Sequence, residues 1–229
     1  MAVYAIADLH LSMGTDKPMD IFSGWTDYVN RLENNWRRLI TDNDTVVIAG
    51  DISWAMKLEE CYEDFKFINS LPGKKILLKG NHDYWWGTKK KMDAYLIENK
   101  FDTIEILFNN AFVRDGIAIC GTRGWNYEST SNEDVRILTR EIGRLNMSIE
   151  EAKKSGCEPV VFLHYPPVYD TIVCREIIDA LKAQGIKRCY YGHLHGANTH
   201  KHAVVGDYEG IKLNLISCDF TEFYPVPVA

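Results

Sequence analysis

The chain has 229 residues, of which 46% are hydrophobic and 25% charged, and its net charge is −6. That length can bury a large core in one domain, and the composition is that of an ordinary globular protein. The acidic balance excludes a general polyanion binder while leaving room for a local positive site.

The first β-rich run, Val3 to Ala7, ends at Asp8-Leu9-His10. Its opening, MAVYAIADLHL, has no basic leader and does not read as a signal peptide, so a cytoplasmic location is expected. Leu32, Trp36, Leu39 and Ile40 share one face of a predicted helix over about 25–40. TVVIA (45–49) then ends at Gly50-Asp51, and a helix over about 58–69 is closed by Leu71-Pro72-Gly73. KILL (75–78) leads into Gly80-Asn81-His82-Asp83, followed by a basic helix over about 88–99 whose Lys89-Lys90-Lys91 run reads as a solvated face. Between Ile104 and Cys120 the pattern is two or three short strands with a turn at Asp115-Gly116.

A helix is expected over 132–155, and PVVFL (159–163) is a buried strand ending at His164. Pro166-Pro167 blocks a helix directly after it. A helix over about 172–184 precedes CYY (189–191), which ends at Gly192-His193-Leu194-His195. Closing strands are expected around 202–205 and 211–216. Alternating strands and helices indicate one α/β domain over 1–229, with 124–156 as the place for a small cap. No apolar run approaches the ~18 residues of a membrane span, so no membrane partner is expected. The six cysteines are scattered without a CxxC pair and read as small core residues.

Five strand ends therefore carry polar clusters, and ligands of α/β sheets gather beyond the carboxyl ends of strands. Asp8, His10, Asp51, Asn81, His164, His193 and His195 together offer carboxylate, imidazole and amide oxygen. This mixed set suits two divalent ions such as manganese, iron, zinc or nickel, and is too rich in histidine for calcium. Seven donors exceed the needs of one catalytic metal, and Asp51 is the natural bridge between two. Such a centre attracts phosphate and acidifies a water, so the expected chemistry is hydrolysis by a bridging metal hydroxide attacking phosphorus in line. His82 is the candidate general acid for the leaving oxygen, with Asp83 orienting its ring.

DLH, GD, GNHD, a lone His after an apolar strand and GHLH, in this order over residues 8–195, resemble the calcineurin-like metallophosphoesterase superfamily. The resemblance implies a four-layer αββα sandwich with two packed mixed β-sheets, the metallo-dependent phosphatase-like fold, around a dinuclear centre. It implies Asp8, His10, Asp51 and His195 around one ion, and Asp51, Asn81, His164 and His193 around the other. It also matches His82 to the family's catalytic histidine.

Arg123, in GTRGW, is a candidate phosphate clamp, against a pairing with a surface carboxylate. His200 is a candidate substrate contact, although the alternation in THKHAV favours a structural role for it and for His202. Trp54, Trp85, Trp86 and Trp125 either wall a pocket for an aromatic or sugar-like leaving group or pack the sandwich edges. The expected substrate is a small phosphomonoester or phosphodiester, nucleotide-derived compounds included. A nuclease is disfavoured by the acidic balance and the lack of a basic aromatic stripe. A lipid-linked pyrophosphate or a phosphoprotein substrate, and a silent metal-binding scaffold for a protein partner, are the other readings.

Overall fold

The computed structural model describes residues 1–125 and 132–228. A first sheet contains β1 (Val3–Ile6), β2 (Thr45–Ala49), β3 (Lys74–Leu78) and β4 (Ile104–Ile106), all parallel, with a short C-terminal strand, Val226–Pro227, antiparallel to β1. TVVIA in β2 is buried at every position, as a parallel strand covered on both faces requires. The second sheet runs in spatial order through Gly206–Tyr208, Ile211–Leu215, Arg188–Tyr191, Glu158–Leu163, Ile117–Thr122 and Phe112–Arg114. In chain order these six strands are β5 (Phe112–Arg114), β6 (Ile117–Thr122), β7 (Glu158–Leu163), β8 (Arg188–Tyr191), β9 (Gly206–Tyr208) and β10 (Ile211–Leu215).

The two sheets pack face to face. Val3, Ala5, Val47, Ala49, Ile76 and Leu78 from the first meet Ile119, Val160, Phe162 and Tyr190 from the second in one core. The opposite face of the first sheet is covered by helices α1 (Tyr28–Leu39), α2 (Tyr62–Ser70) and α3 (Lys89–Glu98), through Leu32, Trp36, Phe65, Ile68 and Met92. The outer face of the second sheet is covered by α4 (Asn132–Lys153) and α5 (Arg175–Ala183), through Leu145, Ile149, Ile177 and Leu181. The expected four-layer αββα sandwich is present. Residues 126–131, in the segment considered for a cap, lie outside the described residues. The rest of that segment is largely α4, laid on the sheet.

Two expected elements begin later than the sequence reading places them, each because a turn sets the chain. The strand expected at 202–205 begins instead at Gly206, because Glu209-Gly210 forms a two-residue turn, both with positive φ (51° and 84°), that pairs Tyr208 with Ile211. The helix expected from 172 begins at Arg175, because Ile172–Val173 turn back to pair with Val168–Tyr169. All six cysteines are free, five of them buried. No helix among the described residues is long and apolar enough to cross a membrane.

Lys75 is an unusual member of the core. It alternates with Ile76 and so faces the helical layer, fully buried, where its Nζ donates to the carbonyls of Leu71 (2.6 Å) and Gly73 (2.8 Å). The ammonium thereby satisfies carbonyls beyond the C-terminus of α2. Burial pulls its pKa down to about 7 from 10.5. Between those values the unfolded chain binds more protons than the folded one, so this group makes stability rise with pH across that window. In urea unfolding the change in stability from pH 7 to pH 9 should be about 2 kcal/mol more favourable in the wild type than in Lys75→Met; the same change in both would assign it to other groups.

Candidate metal centre

Strand register brings the polar clusters to one rim. Ile6 pairs with Ile48 and Ala49 with Leu78, which sets Asp8, Asp51 and Asn81, two or three residues further on, side by side. In the second sheet Tyr191 pairs with both Leu163 and Leu215, aligning His164 and His193 in the same way. The two sheets meet here: the Ala7 N–H donates to the Ile216 carbonyl at 2.8 Å, and the Cys218 N–H to the Ala7 carbonyl at 3.0 Å.

The side chains form two groups. Asp8, His10 and His195 have donor atoms all within 4.8 Å of one another, and Asp51, His164 and His193 form a second such group. Asp51 faces both: Oδ2 lies 3.7 Å from His10 Nε2, and Oδ1 lies 3.5 Å from His164 Nε2. Asn81 joins the second group, with Oδ1 2.6 Å from His164 Nε2. All seven sequence candidates thus converge. Asp8, His10, Asp51 and His193 hold left-handed backbone conformations, with φ of 64°, 46°, 50° and 73°. Each such residue costs about 1–3 kcal/mol and persists only where the surroundings enforce it.

Space is equally constrained. A Cβ at Gly192 would stand 2.5 Å from the Ala7 Cβ and 2.6 Å from Asp8 Oδ2, and one at Gly80 would overlap the Asp51 carboxylate. The glycines preceding the ligands let the strand ends approach closely enough for donors to share a centre.

The donor set fits divalent cations. The Ala49 carbonyl accepts from His164 Nδ1 at 3.1 Å, which puts the ring proton there and turns the Nε2 lone pair toward the Asn81 oxygen. Likewise, Asp219 Oδ1 lies 3.0 Å from His195 Nδ1, leaving the His195 Nε2 lone pair facing His10 Nε2 at 3.1 Å. Opposed lone pairs at these distances ask for a cation between them. Burial, more than any neighbour, holds His10 and His164 below the usual imidazole range and His193 at about 3, so these rings are neutral, as metal ligands must be. Burial and then the Asp8 charge push Asp51 up to about 8, whereas His195 rises to about 10 because Asp8 and Asp219 outweigh its burial. The carboxylates call for positive charge, and a cation at His195 Nε2 would take the place of the proton that Asp8 and Asp219 otherwise favour there.

Three sequence expectations are corrected. Asp83 does not orient His82: successive side chains leave the turn in different directions, and Asp83 points into the core. Its carboxylate accepts from the backbone N–H groups of Asp51 (3.0 Å), Ile52 (2.9 Å) and Gly80 (2.7 Å) and from Trp85 Nε1 (3.1 Å). His200 does not face a substrate space. It sits on a one-turn helix, Ala197–His200, with Nε2 3.0 Å from the Leu194 carbonyl and 3.6 Å from Asp219, and its ring lies edge-on to Phe220. Arg123 is paired, with a buried carboxylate rather than the surface one considered: its guanidinium lies 3.8 Å from Glu141 on the inner face of α4, and over the Trp125 ring at 4.8 Å. His202 is exposed beside Asp170. Of the four tryptophans singled out, Trp85 packs on Phe65 and Trp86, and Trp54 alone stands by the centre, stacked on His10 at 4.9 Å.

Asp219 was missed. It fixes the His195 ring and accepts from the Gly196 N–H at 2.8 Å. The signal was present, since Ser217-Cys218-Asp219 follows the half-buried strand β10 as Asp51 follows β2, but no histidine or glycine motif marks it. Carboxylates behind metal-binding histidines raise their basicity and lock their tautomer. Asp219→Ala is expected to weaken metal affinity about 10–100-fold, measured by competition with a chelating dye; unchanged affinity would reduce Asp219 to a loop contact.

Parallel strands that end in carboxylates and imidazoles at a shared rim, inside an αββα sandwich, define the metallo-dependent phosphatase fold. The family model for calcineurin-like phosphoesterases matches residues 1–197, and the chain belongs to that family. Membership supports a metal-dependent phosphoesterase. No curated protein matches the chain. Among solved structures, a phosphopantetheinyl hydrolase from Mycobacterium tuberculosis is similar at 15% identity, covering 94% of this chain and 88% of that one, with a TM-score of 0.53. TT1561 from Thermus thermophilus is similar at 9% identity, covering 84% and 81%, with a TM-score of 0.54. AQ665 from Aquifex aeolicus is similar at 19% identity, covering 99% and 95%, with a TM-score of 0.47. At these identities the likeness to the first two is one of fold.

Proposed function

We propose that this chain hydrolyses a small phosphomonoester or phosphodiester at a two-metal centre. The convergence of two donor groups that share Asp51 carries this reading. Asp8, His10, Asp51 and His195 would hold one ion, and Asp51, Asn81, His164 and His193 the other. Two divalent ions there supply Lewis-acid polarisation of a phosphoryl oxygen and lower the pKa of a water from ~15.7 to near 7. The expected substrate carries negative charge, which offsets the excess positive charge of such a centre.

His82 is the proton donor in this reading. Its ring is half-buried beside Trp54 (4.5 Å) and His10 (5.8 Å), on the wall of the cavity next to the centre. The Tyr84 hydroxyl lies 3.4 Å from Nδ1. To act as the acid the ring must be an imidazolium, so Nδ1–H would donate to the Tyr84 oxygen and the Nε2 proton would serve the leaving oxygen. Burial, then the His164 ring, depress its pKa, and the charge of a bound phosphate acts in the opposite direction. His82→Ala should therefore slow an alkyl phosphate about 10²–10⁴-fold and a nitrophenyl phosphate far less, because nitrophenolate leaves without a proton. Equal losses on the two esters would remove His82 from this role.

The hydrolase reading is tested by loading the chelator-stripped protein with manganese, iron, zinc or nickel and assaying p-nitrophenyl and bis-p-nitrophenyl phosphate. Turnover that disappears with chelator and returns with metal is the expected result. Metal bound at two equivalents with no turnover on either ester would instead favour the scaffold reading.

A further inference from the structure

A cavity of about 420 Å³ opens beside the candidate centre, with His10, His82 and His195 on its inner side. Its size lies within the ~300–1,000 Å³ usual for small-ligand pockets. The outer wall is Met19, Phe22, Trp25 and Trp54. Three of these come from the loop between β1 and α1, and Trp25 meets His10 and His195 edge-on at 5.7 Å and 5.5 Å. Phe22 is 52% exposed and its neighbour Ile21 is 75% exposed, so apolar surface at the mouth is left uncovered by this chain. Polar groups other than the imidazoles are few: Ser23, Gly196 and the indole N–H groups of Trp25 and Trp54 in the lining, that of Trp54 without a hydrogen-bond partner, and Lys17 at 5.1 Å above the Trp54 ring.

We propose that the leaving group is an apolar alcohol, aliphatic or aromatic, seated against Met19, Phe22, Trp25 and Trp54 with its ester oxygen toward His82. The inference rests on the hydrolase reading above. A proton donor must stand on the leaving-group side of phosphorus, and among the described residues His82 lines this apolar cavity. In the reaction a water oxygen forms the new bond to phosphorus. The ester P–O bond breaks with its electron pair on the alcohol oxygen, and the His82 proton completes the alcohol. A proton from the attacking water restores the balance. A sugar or nucleoside in the same place would bury several hydroxyls with few partners, at about 1–3 kcal/mol for each one left unpaired. An alkyl or aryl group loses nothing there and gains by leaving water.

The test uses the full chain loaded with manganese and a series of phosphate monoesters whose alcohols have similar acidity: methyl, butyl, benzyl and glycerol phosphate. The kcat/KM should rise about fourfold per methylene, equivalent to about 0.8 kcal/mol, and glycerol phosphate should fall below butyl. Phe22→Ser should lower the butyl-to-methyl and benzyl-to-methyl ratios about fivefold, the scale of one aromatic contact. A flat series, or a preference for glycerol phosphate, overturns the leaving-group assignment while leaving the hydrolase reading intact. Calorimetric titration with benzylphosphonate and methylphosphonate separates the two: tighter benzyl binding, weakened in Phe22→Ser, is expected alongside turnover. That binding pattern with no turnover on any ester would overturn the hydrolase reading, and the leaving-group assignment with it.

Discussion

Asp51→Asn is expected to lower kcat/KM by about a thousandfold or more on any phosphate ester that the wild-type chain turns over. The carboxylate is buried and turns one oxygen to each donor group, at 3.7 Å from His10 and 3.5 Å from His164. The amide is nearly isosteric, and its oxygen can still accept from the His82 N–H, now 2.8 Å from Asp51 Oδ1. It removes the charge that would join two cations. A loss of about 4 kcal/mol, within the several kcal/mol that metal charge contributes to such a transition state, corresponds to about a thousandfold. The metal-free variant should be no less stable than wild type, because burial and the nearby Asp8 already disfavour the Asp51 charge in the fold. Lost activity, bound metal below two equivalents and an unchanged melting temperature form the expected signature. Near-normal turnover would sink the bridge.

Asp83→Ala should act first on the fold. The side chain is fully buried and collects N–H donors from Asp51, Ile52 and Gly80, with Ser53 further off at 3.4 Å. It therefore staples the loop after β2 to the loop after β3, the two loops that carry Asp51 and Asn81. Alanine strands these donors in a dry interior, where each unpaired group costs about 1–3 kcal/mol. A total near 4 kcal/mol lowers the melting temperature by roughly 8–16 °C for a chain of this size, and metal affinity should fall with it. Were Asp83 merely the partner of His82, the variant would melt like wild type and lose only turnover. Thermal unfolding of the metal-free protein separates these outcomes.

The strain of the centre agrees with this division of labour. Left-handed backbone at Asp8, His10, Asp51 and His193 is unfavourable locally, and hydrogen bonds that cross between loops enforce it. The His193 N–H donates to Asp8 at 2.9 Å, and the Asp8 N–H donates to the Gly50 carbonyl at 2.9 Å. Each ligand loop is held by its neighbour. A substitution that frees one loop is expected to loosen the others.

Much of this protein was legible in its residues. Apolar runs of strand length, followed by Asp, Asn or His, marked five strand ends, and all seven candidate ligands meet at one rim because parallel register aligns the carboxyl ends of strands. Periodicity likewise foretold the alternation of helix and strand, and the family resemblance of the motifs implied the αββα layering. Side-chain direction was beyond reach. Adjacent residues in a turn diverge, so His82 stays at the cavity while Asp83 enters the core, and nothing in the string GNHD says which does which. Partners far apart in the chain were hidden for the same reason: Asp219 meets His195 across 24 positions, and Arg123 meets Glu141 through the packing of α4. The string of residues determined which donors exist and where strands deliver them. Only tertiary packing decided which donor faces a cation, which holds a loop, and which apolar side chains wall the cavity, because those roles depend on direction and distance rather than on residue type.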